Sequence, residues 1–234
     1  MERYYRSVCH SHLKSYEITY KESNLFIEAC EDSQLEAFEI LRRSRKELES
    51  YISYNNEFFR SLEPIKNDKK APILVQRMIE ASHKAGVGPM ACVAGAIADV
   101  IGRFLLKRCD ECVVENGGDI FLKLNQKPII GIVTNNRYFK DKLSIELNKS
   151  DSAYGICSSS ATIGPSLSQG SADLSLIVSH DVLLSDALAT ASANIIKNET
   201  DLNSAVDFVR GKDIIGCLFI KDKSLAVWGD LKII

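Results

Sequence analysis

Two oxygen-bearing side chains stand four residues apart in an alanine-rich segment near the C-terminal third of the chain. Asp186 and Thr190 are at positions i and i+4, so a helix would place both on one face. A carboxylate and a hydroxyl suit a hard cation, and Mg²⁺ completes its shell with waters or substrate phosphate oxygens. The same acidic residue could instead stabilise the start of a helix. The spacing therefore predicts either a magnesium site or a plain helix start.

A pair of glycines flanked by carboxylates forms a second candidate. Gly117 and Gly118 follow Glu115 and Asn116 and precede Asp119, between two apolar runs that favour strands. Asn-Gly and Gly-Gly are typical of tight hairpin turns. A turn explains the glycines, but it does not require a carboxylate on either side. The segment is therefore a candidate for binding a polar ligand as well as for turning the chain.

Small hydroxyl residues are concentrated over residues 155–172. Within this segment Ser158, Ser159 and Ser160 stand in a row, and hydroxyls together with exposed amides can hold phosphate or ribose oxygens. Serine and glycine are also typical of flexible surface loops. We expect a loop here, which either contacts a ligand or simply connects two elements.

Another glycine-rich segment, residues 86–90, precedes a long apolar stretch. Glycines before a helix leave N–H groups accessible at its positive end, which suits an anion such as phosphate. The alternative is a tight turn that lets the helix pack closely. Residues 90–106 carry few charges, so we expect a largely buried helix.

Patterns elsewhere predict the elements that must position these residues. Alternating and apolar runs predict strands at residues 16–20, 25–27, 112–115, 120–122, 129–133, 143–147, 174–178, 214–220 and 225–228. Helical spacing predicts further helices that begin near residues 33 and 200 and that cover residues 73–84 and 184–197. Ser33 and Glu36 have capping-box spacing, and the polar residues 61–71 predict a mobile loop. Strands and helices without regular alternation indicate an α+β fold.

Composition excludes several functional classes. The chain has 234 residues, with 29 Lys and Arg against 31 Asp and Glu, for a formal net charge of −2. A near-neutral chain lacks the basic surface of a nucleic-acid binder, and no run approaches the ~18 apolar residues of a membrane span. We therefore expect no nucleic-acid or membrane partners. Because no apolar leader follows the charged start, we also expect a cytoplasmic protein.

The cysteines predict reduced thiols. There are seven of them, an odd number, and they are widely scattered. Cys109 and Cys112 form a lone C-x-x-C pair, and a zinc site needs four ligands. We therefore expect two ordinary thiols there.

Taken together, these segments resemble the prokaryotic ApbE-related family, and the resemblance covers nearly the whole chain. ApbE is a flavin transferase that takes FAD and, with Mg²⁺, attaches FMN to a Thr or Ser of a target protein. The segments that carry the resemblance are residues 51–52 with the Arg-rich helix before them, and residues 71–72, 85–99, 115–120, 155–160, 164–168, 170–173 and 186–190. Residues 85–99 together with residues 115–120 are the most specific.

The resemblance implies an ApbE-like α+β fold over residues 1–234 as a single domain, with FAD (or FMN) and Mg²⁺ as cofactors and a target protein as a partner. The residues that it implies for cofactor binding are Gly117, Gly118, Asp119, Ser158, Ser159 and Ser160. Those that it implies for the metal are Asp186 and Thr190, with residues 94–96 near a backbone carbonyl ligand. It leaves the catalytic residues unassigned, and a homodimer is our expectation for the assembly.

Two departures from the ApbE pattern separate the functional hypotheses. ApbE enzymes have Gly-Gly-x-x-Lys-Gly where this chain has residues 94–99, and His-x-x-Asp-Pro near residues 164–166. One hypothesis is Mg²⁺-dependent binding of FAD or a related dinucleotide with FMN transfer or hydrolysis. The other is a non-catalytic flavin- or nucleotide-binding accessory protein. For either, we expect the turn at residues 115–119 to lie beside residues 158–160 in one cleft.

Overall fold

An eight-stranded antiparallel sheet forms the centre of the molecule, in a computed structural model that describes residues 12–140, 142–160 and 171–234. Its order is β1-β2-β3-β4-β7-β8-β9-β10, and the order β11-β6-β5 describes a second sheet. The strands are β1 (Lys14–Tyr20), β2 (Ser23–Ala29), β3 (Cys112–Asn116), β4 (Asp119–Lys123), β5 (Ile129–Gly131), β6 (Ser144–Glu146), β7 (Tyr154–Ser159), β8 (Leu174–Ser179), β9 (Gly216–Lys221), β10 (Ser224–Gly229) and β11 (Lys232–Ile233).

Six α-helices accompany the sheets within the described part of the chain. They are α1 (Gln34–Tyr54), α2 (Asn56–Arg60), α3 (Ile73–Ala85), α4 (Val93–Leu105), α5 (Val182–Ile195) and α6 (Leu202–Val209). The helix predicted over residues 90–106 is mainly α4, which follows a short 3₁₀ turn, Pro89–Cys92. Strands and helices follow one another without a regular βα repeat, and the predicted α+β fold is confirmed.

The large sheet is covered on both faces. Successive side chains of a strand point to opposite faces, and β8 illustrates the result. Leu174 and Leu176 pack in one cluster with Ile145 of the small sheet, whereas Ile177 packs in the other cluster with the helices. The helices therefore occupy one face and the small sheet the other, and residues near the end of a strand can face α4 and α5.

Residues 155–159 form strand β7 instead of the predicted loop. The strand pairs with β4 on one side and β8 on the other, and Ile156 lies opposite both Ile120 and Val178. Serine and glycine favour loops locally, but pairing with two neighbouring strands satisfies the backbone here. Residues 161–170, which include the segment at 164–166, lie outside the described residues.

The predicted capping box at Ser33 and Glu36 is wrong. The Ser33 hydroxyl bonds to the Glu31 carboxylate at 3.4 Å, and the Asp32 carboxylate accepts from the amide of Gln34 at 3.0 Å. The loop predicted at residues 61–71 lies in the connection between α2 and α3, where Ile65 packs in the core; its mobility stays a prediction.

A disulfide joins Cys30 to Cys109, with Cα atoms 5.7 Å apart, so the expectation of reduced thiols is wrong for these two residues. Cys30 directly follows β2, and Cys109 lies between α4 and β3. Cys112, the other member of the C-x-x-C pair, is a free and buried thiol. The bond could not be inferred from spacing because 79 residues separate its partners.

Among the described residues, no single helix has the length and apolar character to cross a membrane. The segment Ile73–Ala85 and the segment Pro89–Leu105 meet those criteria together, but they are bent by 106° at the break between them. Both contribute many buried residues to the core.

Candidate functional site

The hairpin between β3 and β4 turns through the two predicted glycines. Asn116 pairs with Asp119 across a two-residue turn, and Gly117 and Gly118 have φ values of 71° and 103°. A turn with two positive φ values strongly favours glycine at both positions. The amide of Gly118 donates to the Glu115 carboxylate at 2.7 Å, so the carboxylate before the glycines stabilises the turn.

Asp119, the first residue after the turn, is buried beside β7. Its side chain is only 6% exposed, and its Oδ1 accepts a hydrogen bond from the amide of Ser158 at 3.2 Å. A Cβ placed on Gly118 would lie 3.4 Å from the Ser158 hydroxyl. The predicted juxtaposition of the turn with the serine segment is therefore confirmed.

Asp186 reaches the same region from α5. It lies in the second turn of this helix, and Asp181 is the N-cap, so the interpretation of Asp186 as a helix-start residue is wrong. Its Oδ2 accepts from the amide of Gly95 at 2.8 Å. Gly95 is in the first turn of α4, where N–H groups lack partners within the helix. Asp186 thus caps α4 from a neighbouring helix.

Only glycine allows α4 and α5 to approach so closely at this point. A Cβ added to Gly95 would lie 2.9 Å from the Cβ of Asp186 and 3.0 Å from the carbonyl oxygen of Val182. The side chain of Asn116 fixes the same end of α4, because its Nδ2 donates to the carbonyl of Ala94 at 3.0 Å. The predicted carbonyl region at residues 94–96 therefore lies at the site.

The two carboxyl groups share a strongly desolvated environment. Burial raises the pKa of Asp119 well above its usual value, and the nearby Asp186 carboxylate raises it further. Burial also raises the pKa of Asp186 to about 7, although the hydrogen bond from Gly95 opposes this change. Buried carboxylates are normally paired or bound to a metal.

Neither carboxylate belongs to an ion pair among the described residues. Asp186 accepts a hydrogen bond from a backbone amide, and Asp119 accepts one from a backbone amide and one from the thiol of Cys157. Burial and the neighbouring carboxylate of Asp119 raise the pKa of Cys157 well above its usual value. Cys157 is therefore a neutral neighbour and a poor nucleophile at neutral pH.

The three predicted serines do not act as one group. Ser158 and Ser159 are consecutive in β7, so their side chains point to opposite faces. Ser159 shares the helix-side face with Cys157, and its Oγ is buried without a hydrogen-bond partner among the described residues. Ser160 follows the strand, and its hydroxyl donates to the carbonyl of Asp173 at 2.8 Å. Of the three, Ser159 is therefore the serine with a buried hydroxyl that has no partner among the described residues.

Thr190 lies one turn beyond Asp186 on α5, as the spacing predicts, and it is partly exposed. Among the described residues, no group of three or more His, Cys, Asp or Glu side chains is arranged to hold a metal ion. Mg²⁺, however, is commonly bound by one or two carboxylates together with waters and substrate phosphates. Asp119 and Asp186 fit that mode, in which the metal arrives with a phosphate ligand.

Sequence reasoning missed a further buried carboxylate, Asp99 on α4, which is ion-paired to Arg77 and Arg103. A charged residue within an otherwise apolar helical run was the available signal. Ala98, beside it, is fully buried where the ApbE pattern has a lysine.

Comparisons with known proteins place the chain in a family. The family described as AbpE bacteria matches residues 6–214. A UPF0280 protein of Methanocella arvoryzae is 39% identical over 81% of this chain and 78% of its own length, and one of Methanothrix thermoacetophila is 37% identical over 80% of each chain.

Solved structures share the fold at much lower identity. The Pseudomonas stutzeri flavinyl transferase ApbE superposes with a TM-score of 0.61 at 11% identity, over 92% of this chain and 93% of that one. The ApbE protein of Thermotoga maritima gives a TM-score of 0.58 at 12% identity, over 93% and 97%. The fold is therefore ApbE-like, and the chain belongs to the UPF0280 family, with an AbpE bacteria domain over residues 6–214.

Proposed function

We propose that the buried carboxylates of Asp119 and Asp186 form the site that binds the diphosphate of FAD together with Mg²⁺, and that bound FAD is the donor of an FMN group, with AMP as the leaving group. The hydroxyl of a Ser or Thr of a target protein or, in its absence, water attacks the FMN phosphate of FAD and displaces AMP. The observation that carries the proposal is the pair of buried carboxylates without a cation partner among the described residues. Support also comes from the ApbE-like fold.

Each contact at the two carboxylates has a defined task in this proposal. The hydrogen bond from Gly95 holds the Asp186 carboxylate in place, and the Ser158 amide does the same for Asp119. When bound, Mg²⁺ neutralises charge on phosphate oxygens and on the departing AMP. Ser159 and Thr190 would contribute neutral oxygens to the same ligand. Burial of both acids excludes water that would otherwise screen these interactions.

The test is incubation of the full chain with FAD, with and without Mg²⁺ and with a Ser- or Thr-containing acceptor. AMP is quantified by chromatography, and covalent flavin by protein mass. We expect Mg²⁺-dependent FAD binding and AMP release in the wild type and loss of both in Asp186→Asn. The matched control is Asp207→Asn, which removes an exposed carboxylate in a surface ion pair on α6. Absence of Mg²⁺-dependent FAD binding in the wild type contradicts the proposal.

A non-catalytic accessory role is the second candidate, and the replacement of the ApbE lysine motif favours it. Ala98 cannot supply a cation, and the neighbouring Asp99 is held by arginines. Binding of FAD with Mg²⁺ but without AMP release would select this role. Free FMN together with AMP would select hydrolysis, and flavin bound covalently to the acceptor would select transfer.

A further inference from the structure

One face of α4 carries two carboxylate contacts. Gly95 and Asp99 are four residues apart, so they lie on the same side of the helix. The amide of Gly95 donates to Asp186, and the side chain of Asp99 is completely buried. Burial of a charge requires compensation by a partner. The helices that supply the partners of Asp99 are therefore the ones connected to this face of α4.

Two arginines compensate Asp99 from different helices. Arg103 lies on α4 itself, and its Nε donates to both carboxylate oxygens at 2.9 and 2.8 Å. Arg77 comes from α3 and donates to the same carboxylate. Its second terminal nitrogen, Nη2, lies 3.9 Å from Oδ1 of Asp181. The pair formed by Arg103 stays within one helix, whereas Arg77 connects α3, α4 and the start of α5.

Asp181 fixes the beginning of α5. As the N-cap, its carboxylate accepts from the amides of Leu183 and Leu184 at 3.1 and 3.4 Å. Asp186 follows five residues later on the same helix. A shift of the helix start relative to α4 would therefore move Asp186 relative to Gly95, at a contact with no room for adjustment.

We propose that Arg77 is a positioning residue for the carboxylate site. By holding Asp99 and Asp181 together, it sets the placement of α5 against α4, and so the placement of the Asp186 carboxylate at the Gly95 amide. That the placement serves cation binding rests on the proposed function, whereas the placement itself does not.

The experiment compares Arg77→Met with Arg103→Met in the full chain. Both variants remove one guanidinium from Asp99 and keep an apolar stem, but only Arg77 approaches α5. The first readout is hydrogen exchange of the Gly95 amide by NMR without metal or flavin. The second is Mn²⁺ affinity in the presence of FAD, measured by electron paramagnetic resonance. Loss of a partner that orients a metal ligand typically lowers metal affinity about 10–100-fold.

We expect Arg77→Met to accelerate exchange at Gly95 and to weaken Mn²⁺ binding, each by about tenfold or more, with Arg103→Met within about threefold of the wild type. Arg77→Lys, which keeps the charge, should recover part of both effects. If Arg77→Met does not fold, Asp181→Asn replaces it, because asparagine preserves the N-cap while removing the charge that faces Arg77.

Two results would overturn the positioning role: wild-type exchange at Gly95 in folded Arg77→Met or Asp181→Asn, or equal effects of the Arg77 and Arg103 variants. A wild-type protein that binds no Mn²⁺ with FAD contradicts the proposed function instead. The exchange comparison still decides the role of Arg77 in that case.

Discussion

Two buried carboxylates lie on one face of α4: Asp99 belongs to this helix, and Asp186 of α5 accepts from the amide of Gly95. Gly95 and Asp99 are about 6 Å apart along the axis by the rise of the helix. Asp99 is neutralised by two guanidinium groups, whereas Asp186 has a backbone amide and a second buried acid, Asp119, nearby. The first arrangement satisfies its charge within the protein. The second leaves two desolvated acids without a cation partner among the described residues, so the difference separates a carboxylate that the protein itself neutralises from one that a cation would neutralise under the proposed function.

The largest expected effect is a pH dependence confined to the Asp186 site. Burial raises the folded-state pKa of Asp186 from 3.8 to about 7, so the folded protein favours the neutral acid. Its contribution to the free energy of unfolding is complete below pH ~4 and is lost as the pH rises to about 7. At about 1.4 kcal/mol per pKa unit, the loss amounts to about 4 kcal/mol.

Urea unfolding between pH 4 and 8 measures this effect as the difference between the wild type and Asp186→Asn. The variant should gain relative stability as the pH rises, because its amide never ionises. Adding Mg²⁺ together with FAD at pH 8 should restore the lost unfolding free energy in the wild type but not in Asp186→Asn. If the unfolding free energies of the wild type and Asp186→Asn change with pH in parallel, the distinction between Asp186 and Asp99 is wrong.

At Asp99, in contrast, removal of the carboxylate should destabilise the protein. Asp99→Ala leaves Arg77 and Arg103 facing a position without a counter-charge, and breaking a buried ion pair costs about 3–5 kcal/mol. Both guanidinium groups are partly exposed, with side chains 30% and 56% accessible, so we expect about 3 kcal/mol. Urea unfolding at pH 7 measures the loss, with Asp207→Ala as the exposed control. A loss no larger than that of the control would contradict the assigned compensation.

Part of this comparison could be predicted from sequence, because the features involved are local. The turn at Gly117 and Gly118 follows from the need for two positive φ values, and the shared helical face of Asp186 and Thr190 follows from spacing. The strand nature of Ser158 was missed, since pairing with β4 and β8 depends on residues far along the chain.

The rest depends on three-dimensional packing. The approach of Asp186 to Asp119 results from the contact at Gly95, between residues 91 positions apart. The disulfide between Cys30 and Cys109 similarly joins the two ends of a long segment. The metal-binding role and the cofactor contacts of the predicted residues remain predictions, as do the single domain, the cytoplasmic location and the homodimer.

A smaller effect should follow from filling the space between the two helices. Gly95→Ala inserts a methyl group 2.9 Å from Asp186, and overpacking typically costs 1–3 kcal/mol. The better helix propensity of alanine returns about 1 kcal/mol, so the net loss should be about 1 kcal/mol. Mn²⁺ affinity in the presence of FAD should fall as well.

Gly102→Ala is the matched control, since it makes the same change on the same helix against the ring of Phe121. It should destabilise the protein while leaving Mn²⁺ affinity near the wild-type value. Equal losses of affinity in both variants would show that affinity follows global stability and not the Asp186 contact.

The unpartnered hydroxyl of Ser159 predicts opposite signs for stability and binding. Removing a buried hydroxyl that lacks a partner among the described residues relieves a desolvation penalty, so Ser159→Ala should gain about 1 kcal/mol in unfolding free energy. FAD affinity in the presence of Mg²⁺ should decrease, by titration, because the ligand loses a hydrogen bond. Unchanged affinity would assign the hydroxyl no part in the site.

The smallest expected effect concerns Thr190. Thr190 is partly exposed and lies one turn beyond Asp186 on α5. Thr190→Val nearly keeps the side-chain shape while removing one neutral oxygen. Stability should stay within about 0.5 kcal/mol. A lost hydrogen bond or ligand contact of about 1 kcal/mol corresponds to a roughly fivefold weaker Mg²⁺-dependent affinity for FAD. Titration of FAD with and without Mg²⁺ tests whether Thr190 contacts the cation, because the affinity for FAD should then change only when Mg²⁺ is present. An equal loss under both conditions would place Thr190 against the flavin nucleotide instead of the cation, and a loss as large as that of Asp186→Asn would contradict the ranking of a charged ligand above a neutral one.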